Sequence, residues 1–412
     1  MGTLARVLFI PVICAVMGYY LYTPLPDGLR QKSRIQLFYA KHKISSLLIS
    51  MGVKLGFGSG IELARRYQHY TMVSPLNDEN ITVTNTTFSG IPVMIFTPNT
   101  VSSKSPAIVY FHGGGWMFLS SGTKSHFTNN LYRKSQINVL NTYSPYIITS
   151  FSYRLSPEHP FPAAFDDCVT ATVHVLQNGH KFGVDSDNVG VAGDSAGGNL
   201  AAAVALRLSD EKESRLPKLR FQIIIYSVLQ AWDFKLPSYT HNEITLFPSS
   251  VMIKFILPYL GEVATDENIA VCLSNNHLTP ALKKSKFTKF VDQSLLPPQF
   301  RRTPPKIDDV LNTTLAKRLE TLIINPYAFP LMAKDLSRLP PAFVLTCQHD
   351  LTRDDALMYV ERLRKAGIDV QHKHVTDAVH DFFLRAPNND FTYDVHLETL
   401  SDLKVYANKY YK

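Results

Sequence analysis

Cysteine is scarce: four residues in 412, Cys14, Cys168, Cys272 and Cys347, far apart in the chain. No Cys-x-x-Cys or His-x-x-x-His pair occurs, so no metal site is written into the sequence, and none is expected. A disulfide or two is compatible with the count, but spacing assigns none. Heptads, repeats of fixed period and low-complexity tracts are also missing, which excludes coiled coils and solenoids. Only 18% of residues are charged. The net charge of +8 is spread among 34 acids, with no dense basic stripe interleaved with aromatics. Nucleic acid is therefore not an expected partner, and the balance suits only a weak attraction to anionic lipid. What the chain has is apolar mass, 45% of its residues, enough for one large core.

Long apolar runs are rare too. Val7–Tyr22, VLFIPVICAVMGYYLY, is uncharged but only sixteen residues long. It reaches bilayer length if Leu4 and Ala5 extend it past a snorkelling Arg6. A cleaved signal peptide is the rival reading. No small-x-small site ends the run, so an uncleaved signal-anchor over residues 1–24 is expected. The tyrosines at its far edge suit a membrane interface. Arg30, Lys32, Arg34, Lys41 and Lys43 follow it and, by count, would hold the rest of the chain in the cytosol. Three glycosylation sequons, at Asn80, Asn85 and Asn312, argue for the opposite side.

The most informative stretch is Gly193-Asp194-Ser195-Ala196-Gly197-Gly198. A β-branched run, Asn188–Ala192, precedes it, and a helix-forming run, Asn199–Leu206, follows. Strand, tight turn and helix form the setting in which a Gly-x-Ser-x-Gly serine becomes a nucleophile. A second motif lies upstream. Pro106–Phe111 is a continuous apolar run, the pattern of a strand buried on both faces, and it ends in His112-Gly113-Gly114-Gly115-Trp116. Consecutive glycines let backbone N–H groups approach a ligand closely, as an oxyanion hole requires. The donors expected are the amides of Gly113, Gly114 and Ala196, within a site formed by His112, Gly113, Gly114, Gly115 and Ala196.

A base and an acid must follow the serine. Pro341–Cys347 reads as a buried strand running into Gln348-His349-Asp350, and a helix from Asp354 to Lys365 follows, ended by Gly367. Asp350 sits at the C-terminal end of that strand, where catalytic groups gather in parallel sheets. Asp354 and Asp355 fit better as first-turn acids of the helix. The last strand, Asp369–Val375, is followed by His380, the candidate base. His372 and His374 share a strand face and read as structural. Asp194 reads as a support for the turn rather than a participant in the chemistry.

HGGGW, GDSAGG and the intervening Tyr153–Ala163, YRLSPEHPFPA, together resemble the hormone-sensitive lipase branch of the α/β-hydrolases, and within it the group of arylacetamide deacetylase and its relatives. The resemblance covers the whole chain. It implies a membrane-tethered serine esterase facing the endoplasmic reticulum lumen, single-pass and type II, with no cofactor. It matches Ser195, Asp350 and His380 to the family triad. The sequence departs from the family at two places. Met117 stands where a cysteine often pairs with the equivalent of Cys347, and Asp292 stands where a sequon asparagine would precede Ser-Leu-Leu-Pro.

The remaining segments complete the expectation. Residues 30–70 hold apolar and basic residues at helical spacing, Leu37, Phe38, Ala40, Ile44, Leu47, Leu48 and Leu55. Ile81–Thr84 and Pro92–Thr97 read as a hairpin turned at Ser89-Gly90. Residues 230–328 break the strand–helix alternation and carry Trp232, Phe234, Phe247, Phe255 and Tyr259. With residues 30–70 they read as a cap over the pocket. The expected fold is α/β: an α/β-hydrolase domain over 25–412, predominantly parallel in its sheet, with helices on both faces and a helical cap. The expected partner is a small hydrophobic ester. A non-catalytic binder of small ligands on the same fold is the alternative, and a purely structural membrane protein is a third.

Overall fold

The computed structural model describes residues 12, 14–72, 81–101, 104–120, 146–210, 216–241, 247–303, 313–380, 382 and 394–411. Among these residues eight strands form one sheet in the order β1-β2-β4-β3-β5-β6-β7-β8. β1 (Ile81–Phe88) and β2 (Ile91–Pro98) make the antiparallel hairpin at one edge. β3 (Ser105–Phe111), β4 (Ile147–Phe151), β5 (Val184–Asp194), β6 (Gln222–Ile225), β7 (Ala342–His349) and β8 (Val370–Val379) pair parallel with one another, and β4 joins the hairpin by pairing antiparallel with β2. The sheet is thus predominantly parallel, as expected.

Parallel strands must be covered on both faces, because their crossovers put helices there. β3 shows how. Ala107, Val109 and Phe111 enter one core cluster, while Ile108 and Tyr110 enter another. Alternate side chains point to opposite faces, so two separate cores are built from one strand. On the first face lie α3 (Ala163–Asn178) and α4 (Ala196–Asp210), with α8 (Arg353–Lys365). On the second lie α1 (Lys32–Lys54), through Ile35 and Tyr39, and α9 (Asp394–Tyr410), through Leu400, Leu403 and Tyr406.

Residues 30–70 fold into two helices, α1 and α2 (Gly60–Met72), where the spacing predicts one or two. Between β6 and β7 the chain folds into α5 (Ser249–Tyr259), α6 (Asp266–Leu273), α7 (Thr314–Ile323) and several single turns. Thr265 and Thr313 cap α6 and α7 with their hydroxyls, and each accepts from a backbone amide three residues on. β8 runs four residues further than the apolar pattern suggests, so His380 follows it directly. No disulfide joins the four cysteines, of which Cys168, Cys272 and Cys347 are buried. Among the described residues no helix is long and apolar enough to cross a membrane. Residues 1–11 and 13, together with Asn80 and Asn312, lie outside the described residues, whereas Asn85 is exposed on β1.

Candidate active site

The C-terminal ends of β3, β5, β7 and β8 deliver the motifs to one rim of the sheet. β5 ends at Asp194, and the chain turns at Ser195 into α4. Ser195 has φ 53°, left-handed backbone that a non-glycine residue rarely adopts. The turn holds because its neighbours lack side chains. A Cβ on Gly193 would lie 2.1 Å from the Gly197 carbonyl oxygen, and one on Gly197 would lie 2.0 Å from that of Phe111. The Ser195 amide donates to the Ile225 carbonyl at 2.9 Å, which ties the turn to β6.

The three side chains separated by up to 185 residues stand in line. The Ser195 hydroxyl lies 3.0 Å from His380 Nε2, and His380 Nδ1 lies 2.8 Å from Asp350 Oδ2. All three are buried, Ser195 at 7%, His380 at 6% and Asp350 at 1% exposure. The second carboxylate oxygen of Asp350 accepts from the Thr352 amide at 2.9 Å and faces its hydroxyl at 3.0 Å. The carboxylate is therefore fixed on both sides. Rings pack around the imidazole, Tyr226 at 4.9 Å and Phe247 at 5.3 Å between centroids. Asp354 and Asp355 are buried in the first turn of α8, away from this line. Asp354 accepts from the Ser238 amide, and Asp355 accepts from the Leu229 amide, Gln230 and Tyr239. Burial pushes the Asp355 carboxyl up to about 8. His372 and His374 on β8 both bond the Thr346 hydroxyl of β7, and burial holds each down to about 4.

The glycine loop after β3 differs from expectation at one amide. The Gly113 N–H donates to Asp194 Oδ1 at 3.0 Å, so it already has an acceptor inside the protein. The same oxygen accepts from the Tyr110 hydroxyl. A side chain at 113 would meet Asp194 Oδ2 at 2.4 Å, so the loop lies directly against the serine turn. The amides of Gly114, Gly115 and Ala196 donate to no acceptor among the described residues. Gly114 and Gly115 have φ of 101° and 61°, which turns their amides away from the ordinary path. His112 lies beneath the loop. Its ring stacks on Tyr153 at 4.2 Å, and its carbonyl accepts from the Tyr153 hydroxyl at 2.6 Å. Phe255 of α5 lies over Gly115, where a Cβ would meet its ring at 2.7 Å.

A third segment fastens the rim. Arg65 on α2 donates through Nε to the Met117 carbonyl at 2.8 Å and through one terminal nitrogen to the Ser156 carbonyl at 2.8 Å. It also clasps both oxygens of Glu158. Arg65, Tyr110 and Tyr226 carry no motif signal and only the fold reveals them. Among the described residues no cluster of His, Cys, Asp or Glu could hold a metal.

A serine turn, an adjoining histidine and carboxylate, and amides with no acceptor among the described residues, set on a mainly parallel α/β sheet, define a serine hydrolase. The chain belongs to the α/β-hydrolase fold family, whose model matches residues 108–284 and 278–384. It is 37% identical over 378 residues to arylacetamide deacetylase of Bos taurus, covering 90% of this chain and 91% of that one. It is 31% identical over 382 residues to neutral cholesterol ester hydrolase 1 of Bos taurus, covering 89% and 90%. Among solved structures it is similar to a hyperthermophilic esterase from the archaeon Pyrobaculum calidifontis, with TM-score 0.62 and 24% identity, covering 92% of this chain and 98% of that one. It is a serine hydrolase acting on carboxylic ester bonds.

Proposed function

We propose that Ser195 is the nucleophile, His380 the general base and acid, and Asp350 the group that orients His380. The observation that carries this is the unbroken line of two hydrogen bonds, 3.0 and 2.8 Å, through the imidazole. Ser195 Oγ attacks the acyl carbon while His380 Nε2 takes its proton. The amides of Gly114, Gly115 and Ala196 receive the oxygen that becomes negative, and Ala196 contributes from the N-terminus of α4, where N–H groups point outward without intrahelical acceptors. His380 then protonates the departing alkoxide, leaving an acyl group on Ser195. Water, activated by the same imidazole, releases the acid. Asp350 keeps Nδ1 protonated and offsets the imidazolium charge. No cofactor is required.

The substrate is a hydrophobic carboxylic ester, and by the same chemistry an arylamide. Phe118, Phe247, Phe255 and Tyr226 supply aromatic walls that exclude water around the reacting bond. Residues 30–70 and 230–328 form the cap. The relatives named for arylacetamides and for neutral cholesterol esters support this class. We further infer a signal-anchor over residues 1–24 that holds the protein in the endoplasmic reticulum membrane, with the hydrolase domain over 25–412 in the lumen and glycans at Asn80, Asn85 and Asn312. The uncharged run Val7–Tyr22 and the exposure of Asn85 support it.

A fluorophosphonate probe tests the assignment. The expected result is labelling of Ser195, abolished in Ser195→Ala and in His380→Ala, with hydrolysis of p-nitrophenyl esters lost in parallel. A folded protein that neither labels nor turns over any ester of the series would make it a ligand binder instead.

A further inference from the structure

Helix α1 is apolar on the side that faces away from the protein. Leu37, Ile44, Leu48, Met51 and Leu55 recur at spacings of seven, four, three and four residues, one stripe along a helix. All five are exposed, Leu48 at 59% and Leu55 at 68%, and Leu47 and Phe57 widen the patch. The opposite side is already used, with Ile35 and Tyr39 buried in the second core. A contiguous apolar face of this kind marks an interaction surface rather than ordinary scatter.

We propose that this stripe lies in the surface of a lipid bilayer. The inference rests on the membrane attachment proposed above and extends it to a second, folded contact. Three observations select lipid as the occupant. Residues 14–21, the helical end of the uncharged N-terminal run, also expose Val16, Met17, Tyr19 and Tyr20. Lys43 of α1 donates to the Tyr20 and Tyr22 carbonyls at 2.9 and 2.7 Å, which fastens the two apolar elements together. The charge is one-sided as well: residues 23–61 contain six Lys or Arg and a single acid, Asp27. Apolar residues flanked by basic ones are what an anionic interface binds.

The placement gives the surface a purpose. α1 leads into α2, where Leu63 packs against Gly52, and α2 carries the Arg65 that grips the loop beside Ser195. A hydrophobic ester dissolved in the bilayer would then meet the protein on the side from which the catalytic rim is held.

Full-length protein is reconstituted into phosphatidylcholine vesicles containing about one-fifth phosphatidylserine. An environment-sensitive fluorophore is attached to Leu48→Cys in a Cys14→Ser background, with Met51→Cys as a second site should the first disturb folding. Val405→Cys, 60% exposed on α9, is the aqueous control, and Cys14 in the native sequence reports the N-terminal run. The proposal expects a blue-shifted signal at 48, quenched at least twofold by shallow nitroxide lipid, and neither effect at 405. A label at 48 that behaves like 405 while Cys14 is quenched overturns the surface contact but leaves the attachment standing. Water-like signals at both 48 and 14 overturn both. A blue shift at 48 without lipid quenching marks a protein neighbour, such as a second copy, and also overturns it.

Discussion

Asp194 offers the sharpest test of how the rim works. Its carboxylate is fully buried and one oxygen accepts from both the Gly113 amide and the Tyr110 hydroxyl. It therefore sets the path of the glycine loop one residue ahead of the amides assigned to the oxyanion. In Asp194→Asn the side-chain oxygen can still accept, but without its charge. Hydrogen bonds to charged groups contribute about 1.5–3 kcal/mol and neutral ones about 0.5–1.5, so each of the two bonds weakens by roughly 1 kcal/mol. Relief of a buried charge offsets part of the loss in folding. The loop amides act mainly on the transition state, so roughly 1.4 kcal/mol of misplacement appears as about a tenfold fall in kcat, with KM changed less than about twofold. Steady-state hydrolysis of p-nitrophenyl butyrate measures the split. Tyr110→Phe should show a smaller fall, and the double variant should lose less than the two single losses added together, because they share one oxygen. Unaltered kcat in a folded Asp194→Asn protein, or a change confined to KM, would refute the reasoning.

Two further predictions follow from bonds outside the motifs. Arg65→Met removes the clasp on the Met117 and Ser156 carbonyls and should lower kcat/KM about fivefold, and Arg65→Lys should not rescue it, since a single ammonium cannot span the fork; equal kinetics in the Lys variant and the native protein would sink this. His277 is buried and donates to the Ala231 carbonyl, and burial holds it at about 4, below its unfolded 6.5. A depressed histidine contributes stability that is present above pH 6.5 and lost as pH falls through about 4, amounting to about 3 kcal/mol. His277→Gln should flatten denaturant-measured stability over that window, and parallel curves for the two proteins would show the histidine is not the cause.

The motifs were legible because each imposes a local rule. Glycines at 193 and 197 are needed by backbone contacts of about 2 Å, and the run Pro106–Phe111 is apolar because both its faces are covered. β4 was not legible. Its sequence Ile-Ile-Thr-Ser-Phe puts Thr149 and Ser150 at 1% exposure, so polar residues interrupt the signal of a strand that is nevertheless fully buried. Nor could the sequence say which amides of a glycine run face inward. No side chains distinguish them, and the deciding acceptor, Asp194, lies 81 residues away. Asp194 itself looked like a support for the turn, and it supports the neighbouring loop too. Arg65 sits in a helix whose pattern speaks only of packing, and its partners at 117, 156 and 158 are distant in sequence.

The strand order has a temporal consequence. The proposed nucleophile follows β5, in the middle of the sheet, while the imidazole follows β8, at the outer edge and 185 residues later in the chain. A ribosome that has released residues up to 369 has made a hydroxyl with no partner to deprotonate it. With the site residues proposed above, the nascent chain is chemically silent until β8 docks, so ester cleavage reports that the sheet has closed at that edge.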